Sequence, residues 1–171
     1  RPDHFSRFSK LYSGGLKWLV DNSISFQNTF HQHGYTATGP GHFAIGSGMY
    51  PGPAGVLGNS YFDRDLGKVV NCVEDPDALP LGGEGKGRSF SRYNNKAVGD
   101  FLKDVYPKSK VISIAGKDRS AIMLAGNNPD LVLYYNNIDR FITSDFYADS
   151  LPSFIDNFNN KLNLSAFSET K

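Results

Sequence analysis

Lys110-Val111-Ile112-Ser113-Ile114-Ala115 is a compact apolar run that follows a segment of helical pattern. Such a run reads as a strand covered on both faces, which is how strands of parallel sheets read. Upstream, Val98, Phe101, Leu102 and Val105 recur at helical spacing. They predict a helix over 97–106 with those four residues as its buried face and Asn95 as its cap. Downstream, Leu131 to Tyr135 supplies a second strand. Helix–strand alternation of this kind predicts an α/β fold, with a mainly parallel central sheet flanked by helices. Open sheets of that class place ligands beyond the C-terminal ends of their strands. Lys117-Asp118-Arg119 falls there.

The flanking segments fill in the rest. Phe5, Phe8, Leu11, Leu16, Leu19 and Val20 predict two short helices, or one broken at Gly14-Gly15. Ser25 to Phe30 reads as a strand, and a short helix runs from about Pro40 to Ser47, where proline suits the first turn. Residues 61–73 read as a β-hairpin with a Gly-containing turn. Glu74 to Asn95 is rich in Gly, Pro, Asp and Ser and reads as a long surface loop. Ser144 to Phe158 mixes helix and loop, and Phe146-Tyr147, like Tyr134 and Tyr135, reads as core rather than as a substrate platform.

At 171 residues, with 39% hydrophobic and 13% aromatic content, the chain can build one real core. No repeat or linker divides it, so residues 1–171 read as a single domain. A net charge of +1 gives no electrostatic case for nucleic acid or an anionic membrane. No apolar run approaches the roughly 20 residues that cross a bilayer. Cys72 has no second cysteine to pair with and reads as a small buried hydrophobe.

The chemistry centres on Thr38-Gly39-Pro40-Gly41-His42. A threonine at a helix start stands beside unpaired N–H groups and the positive end of the helix dipole, a setting that suits phosphate. A hydroxyl is a weak nucleophile near neutral pH and needs a base or a metal. Asn59 lies in a Gly58-Asn59 turn, where it can be a turn former, a polar ligand, or both. If Lys117 and Arg119 lie on an extended segment they point to one side and Asp118 to the other, and Asp118 can orient Arg119 or pair with Lys117. Two converging cations suit a dianionic phosphoryl group. His31 and His33 have a spacing that can chelate on a strand, but no carboxylate or cysteine partner is visible, and the four histidines make no metal site. Asn163-Leu164-Ser165 matches a glycosylation sequon, a pattern that often arises by chance.

Taken in order, the Thr38–His42 segment, Gly48-Met49-Tyr50-Pro51, Gly55-Val56-Leu57-Gly58-Asn59, Tyr61-Phe62-Asp63 and Lys117-Asp118-Arg119 resemble the alkaline phosphatase superfamily. They look most like its threonine-nucleophile, PafA-like branch. The phosphodiesterase/nucleotide pyrophosphatase branch shares the earlier elements and lacks the Lys-Asp-Arg one. The resemblance implies hydrolysis of small-molecule phosphate monoesters through a phosphothreonine on Thr38. It implies two zinc ions, one of them bound by Thr38, and phosphate contacts from Asn59, Lys117 and Arg119. His42 fits the motif as a residue that shapes the loop, not as a metal ligand.

The family's other Asp and His ligands lie before the segment matched by Arg1 and beyond the one matched by Lys171. The chain is therefore expected to be an incomplete, N-terminal-region part of a longer catalytic domain, inactive by itself. The branch resembled is exported to the bacterial periplasm, so a periplasmic or secreted location is implied. Two alternatives stay open: a phosphodiesterase or nucleotide pyrophosphatase of the same superfamily, and a non-catalytic domain that binds phosphate.

Overall fold

A computed structural model of the chain describes residues 3–26 and 28–162, so the sequon at Asn163 lies outside the described residues. The chain divides into two compact units, residues 1–31 and 32–171, where the sequence shows no linker. The first holds α1 (Asp3–Arg7), a 3-10 turn (Ser9–Leu11) and α2 (Gly14–Asn22), none of which buries a residue. This is the broken helix expected. The strand expected over Ser25 to Phe30 does not form among the described residues of that segment.

The second unit contains α3 (Thr38–Ser47), β1 (Ser60–Asp63), β2 (Lys68–Asn71), β3 (Pro80–Leu81), α4 (Val98–Val105), β4 (Ile112–Ala115), α5 (Asp118–Ala125), β5 (Leu131–Tyr135), β6 (Phe141–Ser144) and α6 (Ser153–Lys161). β1 and β2 form the expected hairpin, in register from Ser60↔Asn71 to Asp63↔Lys68. The remaining strands make one sheet in the order β3-β6-β5-β4. The class is α/β, as expected, but the sheet is mixed: only β4 and β5 run parallel, joined by α5, while β6 is antiparallel to both β5 and β3. The reason lies in the β5–β6 connection. Asn136 accepts the backbone N–H groups of Ile138, Asp139 and Arg140, and Asn137 takes φ 64°. That makes a tight turn, and a tight turn can join only antiparallel strands.

The core gathers Phe43, Val56, Cys72, Val73, Phe90, Tyr93, Ile122, Met123, Val132, Tyr134 and Ile142. α3 enters it on a broad face, burying Gly39, Pro40, Phe43 and Gly46. Phe43 stacks on Phe90 with ring centroids 6.2 Å apart and meets Tyr93 at 5.7 Å.

α4 departs from expectation. Its amphipathic face is exposed, with Val98 at 61% and Val105 at 67%, and its buried residues are Gly99 and Asp100. The helix seats itself by close backbone approach: a Cβ at Gly99 would lie 2.6 Å from Val111 and 3.1 Å from the Ala125 carbonyl. Nor does Asn95 cap it. Ala97 holds the cap position, and Asp100 reaches back to its N–H at 2.9 Å, half of a capping box. Asp100 also accepts the N–H groups of Asn127 and Asn128, tying the start of α4 to the segment that follows α5.

Candidate active site

Thr38 is the first residue of α3, one place inside the helix, because Ala37 occupies the cap position with extended backbone (φ −76°, ψ 172°). An alanine has no side chain to satisfy the first-turn N–H groups. Asn59 supplies the missing acceptor: its Oδ1 takes the Gly39 N–H at 2.7 Å. A carboxamide has one acceptor end and one donor end. With Oδ1 committed, the N–H₂ end of Asn59 makes no hydrogen bond among the described residues, and neither does the half-buried Thr38 hydroxyl. His42, one turn on, donates from Nδ1 to the Thr38 carbonyl at 2.8 Å, because a carbonyl can only accept. That contact fits the loop-shaping part read for it.

Asn59 is fixed from behind. Its carbonyl accepts the Cys72 N–H at 3.0 Å, and the Cys72 carbonyl accepts the Tyr93 hydroxyl at 2.6 Å. The Cys72 sulfur closes the space over Gly39, where a Cβ would stand 2.7 Å from it and 3.4 Å from Asn59 Oδ1. Burial pushes the Cys72 thiol up to about 11, against a smaller pull from the Arg119 cation. The thiol is therefore within electrostatic reach of Arg119, Asp118 and Arg88 as well as in contact range of Gly39.

The second group of candidate residues lies at the start of α5. α3 and α5 pack tightly, and a Cβ at Gly46 would lie 2.5 Å from the Met123 carbonyl. Late residues of the two helices thus meet, and Asp118 and Arg119 at the start of α5 act electrostatically on Cys72, whose sulfur lies over Gly39 at the start of α3. Lys117 caps α5 with extended backbone (φ −134°, ψ 137°), is exposed and makes no ion pair among the described residues.

Asp118 and Arg119 already belong to the helix, so the alternation read for Lys117-Asp118-Arg119 does not hold. Asp118 does not point away. Its Oδ1 accepts the Arg119 N–H at 2.8 Å and lies 3.5 Å from Arg119 Nη1, while its Oδ2 pairs with Arg88 Nε at 2.9 Å. Arg119 Nε is buried and has no hydrogen-bond partner.

Arg88 is the residue that sequence reading missed. It sits in the Gly/Ser-rich loop, held there because Gly87 packs where any Cβ would overlap the Ala78 and Asp75 carbonyls. Nothing in the sequence links position 88 to position 118. Burial, with the Asp118 charge, also raises the Tyr134 phenol, while Arg88 pulls it down. Tyr134 is core, as read, with 3% exposure, and it lies beside this ion pair.

A surface depression of about 600 Å³ is lined by Gly55, Leu57, Tyr61, Phe62, Asp63 and Arg64. It includes none of Thr38, Asn59, Lys117 and Arg119. No group of three or more His, Cys, Asp or Glu that could hold a metal ion occurs among the described residues, and no described helix is long and apolar enough to cross a membrane.

Comparison with known proteins agrees with this geometry. The family model for type I phosphodiesterase/nucleotide pyrophosphatase matches residues 1–170. Alkaline phosphatase PafA of Elizabethkingia meningoseptica is 31% identical over 94% of this chain and 31% of its own length. Alkaline phosphatase PhoV of Synechococcus elongatus is 35% identical over 93% of this chain and 30% of its own. The crystal structure of wild-type PafA superposes with a TM-score of 0.88 at 32% identity, over 93% of this chain and 32% of that one. A PafA variant substituted at a threonine, an asparagine, a lysine and an arginine superposes at 0.87, with 27% identity, over 99% of this chain and 37% of that one. The chain thus spans about a third of the length of these relatives.

Proposed function

The chain belongs to the type I phosphodiesterase/nucleotide pyrophosphatase family of the alkaline phosphatase superfamily, on its PafA-like side, and from that premise we propose that it carries the nucleophile and phosphate contacts of a phosphate monoester hydrolase. The observation that carries the reading is the use of Asn59. Its acceptor end is spent on Gly39, which leaves a donor end beside an unbonded Thr38 hydroxyl at a helix start. Nucleophile and oxygen ligand are thereby set side by side, with the helix dipole favouring the anion.

In this reading the Thr38 oxygen attacks phosphorus in line with the leaving alcohol, and water then hydrolyses the phosphothreonine. Asn59 donates to one nonbridging oxygen, and Lys117 and Arg119 meet the others, where charge spreads in the transition state. Arg119 carries a buried, unsatisfied N–H, as a donor awaiting an anion does. The variant PafA structure supports the choice of residues. Its altered threonine and asparagine stand as far apart in sequence as Thr38 and Asn59, and its lysine and arginine as far apart as Lys117 and Arg119.

We take the metal to be zinc, two ions by the family pattern. The described residues fit it only in part, since Thr38 offers one oxygen and a zinc site takes three or four protein ligands. The other ligands would come from outside residues 1–171. When bound, such a metal lowers the pKa of the hydroxyl and stabilises its alkoxide. A periplasmic or secreted setting and small phosphate esters as substrates complete the reading.

The family model's own description favours a second reading, a diesterase. The two are separated by removing Lys117 or Arg119 in the full-length protein. A diester has one fewer charged oxygen to be held. Lys117→Ala and Arg119→Ala should each lower kcat/KM for an aryl phosphate monoester by roughly 10²–10³ and for its methyl diester far less. Equal losses on both substrates would put the diesterase first.

A further inference from the structure

Arg119 has a carboxylate as its nearest neighbour, an awkward arrangement for a group meant to hold an anion. Asp118 Oδ1 lies 3.5 Å from Arg119 Nη1, and both side chains are about four-fifths buried, so their charges are only partly screened. A freely turning Asp118 would close on Arg119, take its donors and cancel its field. The structure contains a competitor. Arg88 Nε meets Asp118 Oδ2 at 2.9 Å, a closer ion pair than the 3.5 Å contact with Arg119. The other carboxylate oxygen, the one 3.5 Å from Arg119 Nη1, also accepts the Arg119 backbone N–H at 2.8 Å. Arg88 is itself held. Its backbone pairs with that of Glu74 through an isolated bridge, and its Nη1, which has no hydrogen-bond partner, lies 3.9 Å from Glu74 Oε2. Glu74 in turn accepts the Asn71 N–H at 3.4 Å and faces Lys68 at 3.5 Å.

We propose that Arg88 is a positioning residue: by holding the Asp118 carboxylate, it keeps the Arg119 guanidinium unneutralised for the phosphoryl group. The inference rests on the reading of Arg119 as a phosphate contact and adds a residue that touches no substrate. It makes a prediction that a packing role does not share. The damage done by losing Arg88 comes from Asp118, so removing the Asp118 charge should repair it.

The test uses the full-length protein, with kcat/KM for an aryl phosphate monoester and the inhibition constant of inorganic phosphate as readouts. Arg88→Ala should weaken both by about tenfold, short of the roughly 10²–10³ that follows loss of a direct donor. Adding Asp118→Asn should bring both back to within about threefold of the starting protein. Failure of the double variant to recover, with Arg88→Ala folded and Arg119→Ala strongly impaired, overturns the proposal while leaving the phosphate reading intact. An Arg119→Ala protein that binds phosphate normally overturns both. Should Arg88→Ala not fold, Arg88→Gln takes its place in the same two comparisons. Arg88→Lys, which keeps a cation opposite Asp118, should lose less than either.

Discussion

α3 and α5 pack against each other, yet their first turns are built on opposite principles. The start of α3 carries no charge at all. Alanine caps it, threonine, glycine and proline form the turn, and a neutral carboxamide satisfies the Gly39 N–H. The start of α5 is almost entirely charged, with Lys117, Asp118 and Arg119 in succession and Arg88 arriving from a distant loop. On the proposed reading, the first turn does the bond-making and the second reads charge. The contrast teaches why the two must be separate. A hydroxyl set among fixed ion pairs would be drawn into their hydrogen bonds, whereas here it stays unbonded.

The largest effect tests the neutral turn. In the full-length protein, Thr38→Ala should cost at least about 10³-fold in monoester turnover and abolish any acid-trapped phosphoenzyme, while Thr38→Ser retains much of both. A phosphoenzyme still trapped in Thr38→Ala would break the contrast at its root.

Next comes the packing that aligns the two turns. Gly46→Ala places a Cβ 2.5 Å from the Met123 carbonyl and should destabilise the protein by about 1–3 kcal/mol. Gly41→Ala, on the same helix with nothing within 4 Å, should be neutral or stabilise by up to about 1 kcal/mol. Thermal melts of the pair decide whether α3 and α5 are in close contact there.

A smaller loss is expected at Gly39. Its Cβ would press on Cys72 Sγ and move Asn59, so Gly39→Ala should lower monoester kcat/KM by about tenfold, by disturbing a placed donor. Cys72→Ala in the same protein should restore part of it by making room. No restoration would mean that Asn59 is held by something other than the fit around Gly39.

The smallest effect concerns pH. Burial lifts the Cys72 thiol to about 11, so its thiolate is scarce across the physiological range. Only the thiolate reacts, so alkylation should be negligible at pH 8 in the folded protein and rapid once denatured. Fast labelling of folded protein at pH 8 would show that this wall of the site is open to water.

Much of this was legible in the sequence because it is local. The hairpin around Gly67, the helix after Thr38 and the strand at Lys110 each follow from residues within a few positions of one another. The nearness of Asn59 to the Thr38 turn was also legible, since one motif names both positions and the structure joins Asn59 to Gly39. The failures share a different cause. The Val98–Val105 face was read as buried because amphipathic spacing says that a face suits burial, not that a partner covers it. The sheet was read as mainly parallel because the Asn136 side chain that tightens the β5–β6 turn was not recognised. Asp118 was turned the wrong way by assuming an extended segment where a helix begins, and Arg88 escaped because its partner is distant in the chain.

The uncovered side of α4 and β4 has a practical consequence. β4 is the last strand of the sheet among the described residues, with Ile112 and Ile114 exposed at 61% and 59% beside the bare face of α4. An open strand edge flanked by exposed aliphatic groups is a template for any other extended chain. Residues 1–171 kept in solution by themselves should therefore be sticky, lost to aggregates as concentration rises. A lysine at position 114 would do more for their shelf life than any change around Thr38.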